Sequence, residues 1–228
     1  MDRPVKKFIY TLILFAAALF AIDLGIGSVL DGLFFNLPEA ENECGKVRSR
    51  FMSEKDIVLM GSSRCRHHFV SSQLLDSISI YKTGWTIYNY GLDGFFLNSS
   101  LCAVESMLAR YTPKVIVIEA DSKSILNDEF YSKGLRSYAP FYSKDPIVKN
   151  YLDSIDRMSS VIYLSHLSRY SGAYPLKIMR TLRISEDKKM GYLPLEGSKI
   201  TQSLLDNVDK DYHNMIEESQ FTVNNFYR

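Results

Sequence analysis

Three short apolar runs, each ending abruptly in a polar or glycine-rich loop, constrain this chain more than any other feature. They are Asp56–Met60 (DIVLM), Trp85–Tyr90 (WTIYNY) and Val115–Ile118 (VIVI). Runs of this length, rich in β-branched and aromatic residues and bounded by turn residues, predict strands. Helical patterns separate them. Arg66 to about Ile78 offers Phe69, Leu74 and Leu75 as core contacts, and Asn98–Tyr111 repeats Leu101, Val104, Met107 and Leu108 at helical spacing, with Ser99 or Ser100 as its cap. Thr112-Pro113 closes that helix, because proline disfavours helical geometry in the residue before it. Strand, helix, strand, helix, strand with short connections predicts βαβ units, and so an α/β fold on a mostly parallel sheet. VIVI is apolar at every position, which predicts a strand buried on both faces.

In an open parallel sheet, sites form beyond the carboxyl ends of the strands. The segments there are Gly61-Ser62-Ser63-Arg64, Gly91-Leu92-Asp93-Gly94 and Glu119-Ala120-Asp121-Ser122. All carry glycine or polar residues, and the topology predicts that they converge. Ser63 stands at a strand-to-helix corner, where backbone N–H groups can hold developing negative charge. Its hydroxyl needs a base to become a nucleophile. Gly94 can present an unobstructed N–H. Arg64 and Arg66 can attract an anionic substrate group. Read alone, each of these short motifs is equally the mark of a tight corner.

The N-terminus has its own character. Phe8–Ile22 (FIYTLILFAAALFAI) carries no charge, Asp23 interrupts, and apolar character resumes through Phe35. Fifteen uncharged residues fall short of the about 20 that span a bilayer, but continuation through Leu30 supplies the length. Arg3, Lys6 and Lys7 precede the run, which predicts a cytoplasmic N-terminus and a globular part outside, periplasmic or extracellular. The alternatives are a cleaved signal peptide and a buried helix of a soluble fold; no small-x-small site followed by a polar mature start supports the first, and the missing polar face weakens the second. The expected division is residues 1–35 as basic tip and anchor, 36–53 as a polar linker, and 54–228 as the α/β domain.

A net charge of +1 without a basic stripe argues against nucleic acid as partner. Cys44, Cys65 and Cys102 are odd in number and widely spaced, which speaks against a disulfide framework and a structural zinc site. No cofactor or metal is expected. Beyond the third strand the chain reads as a tyrosine-bearing loop at 123–145, a helix from Pro146 to about Ser171, a turn-rich excursion at 183–199 and a last helix over 200–219. Tyr131, Tyr138, Phe141 and Tyr142 could line a lid or a sugar-binding cleft, with lid packing the favoured reading. Asn98-Ser99-Ser100 fits a glycosylation sequon.

Taken together, Gly61-Ser62-Ser63 after the first strand, Asn89 to Gly94 after the second and Tyr111-Thr112-Pro113-Lys114 before VIVIE resemble the SGNH/GDSL hydrolase superfamily, especially membrane-anchored bacterial members. The resemblance covers about residues 54–128. It implies a three-layer, flavodoxin-like α/β domain, with Ser63 as nucleophile and Gly94 as oxyanion donor. It implies an esterase or acyltransferase working on cell-envelope material such as an O-acylated glycan.

Two departures accompany it. The family's third block carries an asparagine donor, whereas this chain has Glu119-Ala120-Asp121; Asp121 and the later Asn127 are the substrate-side substitutes. The family's closing Asp-x-x-His does not occur here, so the domain is expected to be C-terminally incomplete or inactive in this form. The alternative is a non-catalytic accessory or binding protein of an envelope polysaccharide pathway. His67 and His68 are the histidines nearest Ser63. A Cys65/His67/His68 metal cluster is disfavoured, because adjacent helical side chains diverge.

Overall fold

A computed structural model describes residues 3–40, 42–120, 132, 134–183 and 189–194, and all structural statements concern these. They lie in one compact unit, Met1–Pro194. The expected last helix and the end of the 183–199 excursion fall outside them.

The sheet has three parallel strands: β1 (Ile57–Met60), β2 (Ile87–Asn89) and β3 (Val115–Ile118), in the order β2-β1-β3. Ile57 pairs with Ile87 and Val115, and Leu59 with Asn89 and Val117. Side chains alternate across the central strand. Ile57 and Leu59 pack with Ile87, Leu74, Leu75 and Ile78 on one face, while Val58 and Met60 join the larger core around Tyr88, Phe51 and Met107 on the other. The strand starts are stapled by one residue. Asp56 accepts from the Thr86 N–H (2.8 Å) and pairs with Lys114 (2.6 Å), which hold its carboxyl down to about 2, the lysine being the larger cause.

β3 differs from expectation. Val115 and Val117 are exposed and only the alternate isoleucines are partly covered. Among the described residues it is an edge strand with no neighbour beyond it, and the register places Val115 and Val117 on the Ile57–Leu59 face, where α4 (Ser71–Ser79) covers mainly β1 and β2.

The helix expected from Arg66 to Ile78 is two helices, α3 (Ser63–His68) and α4. The break follows from Asn89. Its amide donates to the Cys65 (2.7 Å) and Phe69 (3.0 Å) carbonyls, sharing the first with the Phe69 N–H and engaging the second, which a continuing helix would bond to the N–H four residues on. α5 (Leu97–Leu108) starts from Phe96 without a side-chain cap. Ser99 and Ser100 are buried inside its first turn, with the Ser99 hydroxyl turned back to the Phe96 carbonyl (2.7 Å).

The stretch read as a linker holds a core helix. α2 (Glu43–Met52) is capped by Asn42, whose oxygen accepts from Gly45 N (2.9 Å), and it buries Cys44, Val47 and Phe51. Between them Lys46 and Arg50 are fully buried. The Lys46 ammonium donates to the Gly91 carbonyl (2.9 Å) and the Arg50 Nε to the Tyr90 carbonyl (3.1 Å), while Arg50 also reaches the Tyr138 hydroxyl and lies 4.8 Å from the Phe95 ring centre.

α1 (Arg3–Phe35) is a single 33-residue helix, long and apolar enough to cross a membrane. Its first two-thirds are almost wholly exposed, whereas Gly27 and Phe34 are buried against the rest of the chain. The long helix expected from Pro146 is interrupted. α6 (Pro146–Ile155) starts with Asp145 accepting from Ile147 N and Val148 N, and proline fits its first turn. It ends at Asp156, whose side chain takes the Met158 N–H (2.9 Å). A short α7 (Ser159–Ile162), a 3-10 turn (Leu167–Tyr170) and α8 (Tyr174–Thr181) follow. A further 3-10 turn, Leu135–Phe141, occupies part of the predicted loop and puts Tyr138 and Phe141 into the core, as packing rather than as a lid.

Candidate functional site

The three loops at the carboxyl ends of the strands meet and are bonded to one another. The knot is Glu119, immediately after β3. Its carboxylate accepts from Ser62 N (2.9 Å), the Ser62 hydroxyl (2.8 and 2.9 Å) and Cys65 N (3.1 Å), and pairs with Arg64 Nε at 2.9 Å. Gly61 allows this approach: a Cβ there would fall 2.5 Å from Glu119 Oε2 and 2.8 Å from Cys65 Cβ. The second loop joins through Leu92 N, which donates to the Gly61 carbonyl (3.1 Å), and through Asn89, whose oxygen accepts from Gly91 N (2.9 Å).

Ser62 and Ser63 therefore have different roles. Ser62 is buried, caps α3 by accepting from Arg64 N (3.3 Å), and hands its hydroxyl to Glu119. Ser63 is the first residue of α3 and is exposed, and its hydroxyl meets no partner among the described residues. Gly94 sits in the second loop at φ +74°, exposed, with open space where a side chain would stand.

Arg64 lies at this edge, but its Nε is directed to Glu119. Arg66 pairs with Asp93 (2.7 Å). These two acids explain how two cations sit at the start of a helix, where positive charge is otherwise unfavourable. Asp121 and Asn127 lie outside the described residues, as does Tyr131.

His67 shares the Ser63 face of α3, one turn on. Its Nε2 lies 3.2 Å from Asp93 Oδ1 and its Nδ1 lies 2.7 Å from the Leu193 carbonyl. Both partners are acceptors, so both contacts are made together only when each ring nitrogen carries a hydrogen, and neither then has a lone pair for a serine proton. His68 is exposed at the end of α3, and His166 packs against α1 instead. His213 lies outside the described residues.

The cysteines do not contribute nucleophiles. All three are buried, and burial pushes Cys65 up to about 11, with the Glu119 charge adding to it, and Cys44 up to about 12. Cys65 Sγ points to Asn89 Oδ1 (3.4 Å), away from a shared site with the histidines.

Sequence reasoning passed over the residues that brace this edge. Lys46 and Arg50 hold the carbonyls of Tyr90 and Gly91, the peptide units that launch the Gly94 loop. The available signal was Cys44, Val47 and Phe51 at helical spacing, with Asn42 ahead as a cap. Glu119 was visible only as a departure from a motif. Met190 to Leu193 runs along the outer edge of β2, bonding to Asn89 N, Lys46, Arg66 and His67.

No family model, curated protein or solved structure matches the chain.

Proposed function

We propose that the chain is a membrane-anchored serine esterase or acyltransferase of SGNH/GDSL type. In this reading the fold is a three-layer flavodoxin-like domain, Ser63 is the nucleophile, the Gly94 N–H is an oxyanion donor, and the substrate is acylated cell-envelope material such as an O-acylated glycan. One observation carries it: three strand-end loops are cross-bonded into one edge, and the exposed serine there whose hydroxyl has no partner among the described residues is Ser63, while its neighbour Ser62 is used for structure. Glu119 takes over the bracing of the third loop.

α1 acts as a retained anchor with its N-terminus in the cytoplasm and the domain on the far side. The support is that the helix does not end at the apolar run: Gly27 and Phe34 are packed into the domain, so removing the helix as a signal peptide would take part of the core with it.

A second reading, a binding protein of an envelope polysaccharide pathway without hydrolytic activity, is favoured by His67. Its two ring nitrogens face Asp93 and the Leu193 carbonyl, and neither is hydrogen-bonded to Ser63. Labelling of the full chain with a fluorophosphonate, followed by peptide mapping, separates the two. The esterase reading expects modification of Ser63 that disappears in Ser63→Ala. A folded chain that takes no label supports the binding reading and overturns the first.

A further inference from the structure

The segment between α6 and the 3-10 turn at Leu167–Tyr170 is built unlike a solvated loop. Its outer surface is mostly apolar: Met158, Val161, Ile162 and Leu164 are all exposed, Leu164 at 73%, with Ser160 among them and Arg157 at the edge. Much of its backbone is bonded from within. The N–H groups of Val161, Ile162 and Tyr163 donate to the carbonyls of Met158 and Ser159. The Ser168 hydroxyl lies between the carbonyls of Ile162 and Ser165 and shares its one hydrogen between them, and the Tyr163 carbonyl accepts from the buried Arg169 (2.9 Å). Each backbone group bonded in this way lowers the cost of moving the segment from water towards hydrocarbon.

The same segment is bonded to α1. Asp23 accepts from the Ser165 hydroxyl (2.5 Å), His166 N (2.9 Å) and Leu167 N (3.0 Å). One turn further, Gly27 lies directly beneath His166, with room for no side chain: a Cβ would fall 2.1 Å from His166 Cβ. Asp31 then takes the Tyr170 hydroxyl (2.5 Å). Asp23, Gly27 and Asp31 thus form the polar stripe of α1, and the segment covers it. Ile22, Ile26 and Val29 keep the opposite stripe apolar and exposed.

The position of Asp23 sets the depth. Phe8–Ile22 is 15 residues, about 22 Å of helix at about 1.5 Å per residue, against a hydrocarbon thickness of about 30 Å. The exposed apolar stripe reaches the missing length only by continuing to Val29, past Asp23. Any segment bonded to Asp23 therefore lies below the outer headgroups.

We propose that Met158–Leu164 is a membrane-inserted foot: its apolar side chains enter the outer leaflet beside α1, while the residues that follow it, Ser165 to Leu167, bond Asp23, the one acid that the span would otherwise expose to lipid. The occupant of this surface is the acyl-chain region of the bilayer. The proposal rests on the reading of α1 as an anchor.

The test uses the full chain in vesicles of phosphatidylcholine and phosphatidylglycerol carrying brominated acyl chains. The native thiols are buried, so a fluorophore can be placed on a new cysteine by Leu164→Cys, with Leu14→Cys in α1 and Tyr81→Cys in an exposed turn as references. The foot expects quenching at 164 that is at least half of that at 14 and several-fold that at 81. Quenching at 14 with none above the 81 level at 164 overturns the foot and leaves the anchor standing. Absence of quenching at 14 refutes the anchor, and the foot with it. Val161→Cys repeats the measurement one turn away and is expected to agree with 164.

Discussion

Removing the Glu119 carboxylate tests whether the site edge is held as described. In Glu119→Ala two backbone N–H groups, Ser62 N and Cys65 N, and the Ser62 hydroxyl lose their acceptor. A buried donor left unmet costs about 1–3 kcal/mol, but this edge is partly open and water can replace some of the lost bonds. The Arg64 pair adds little, since the Arg64 side chain is 56% exposed and exposed pairs are worth about 0–1 kcal/mol. The sum is about 2–4 kcal/mol, a large share of the 5–15 kcal/mol typical of a domain. For a chain of this size that lowers Tm by roughly 4–16 °C. Glu119→Gln keeps one acceptor oxygen and is expected to lose about half as much. The assay is thermal unfolding of the full chain in detergent, followed by the fluorescence of its single tryptophan, Trp85, which packs beside Ile57 and Ile87. If Glu119→Ala melts within about 1 °C of the parent, the carboxylate is not what ties the loops together, and the argument for a preformed edge fails.

Phe34→Ala is expected to cost about 3–5 kcal/mol, because the ring is fully buried among Phe141, Tyr170 and Tyr174; the same unfolding assay checks it, and a negligible loss would show that α1 is a detachable leader. Asp56 gives a pH dependence. Its folded carboxyl is held below the ordinary 3.8, so its contribution is complete above about 4 and is lost as pH falls through about 2; Asp56→Asn removes that component of the acid limb, which acid titration of circular dichroism reads directly.

Much of the fold was legible because it follows from local pattern. The three strands lie within the three apolar runs, all parallel, and α1, α5 and the start of α6 follow apolar periodicity and end signals. The candidate edge was legible for the same reason, since strand ends in a parallel sheet point one way. Two of the misread breaks come from bonds that are distant in sequence. Asn89 breaks the helix after Ser63 from 20 and 24 residues away in sequence, and Asp23 takes backbone groups of a segment 143 and 144 residues later. No window of neighbouring residues contains such bonds.

The sequence by itself determined the rhythm of strands and helices, the apolar length of α1 and the placement of a serine at the first strand end, because these depend on spacing and side-chain type alone. Only the tertiary structure decided which serine is free. Glu119 arrives from β3 to occupy Ser62, and Lys46 and Arg50 leave an apparently polar linker to brace the carbonyls beneath Gly94. It also decided that VIVI is an edge, because a strand's exposure depends on whether another element covers it. Charged residues in the chain look the same whether they are solvated or buried, and what separates the two is the partner that folding brings within 3 Å.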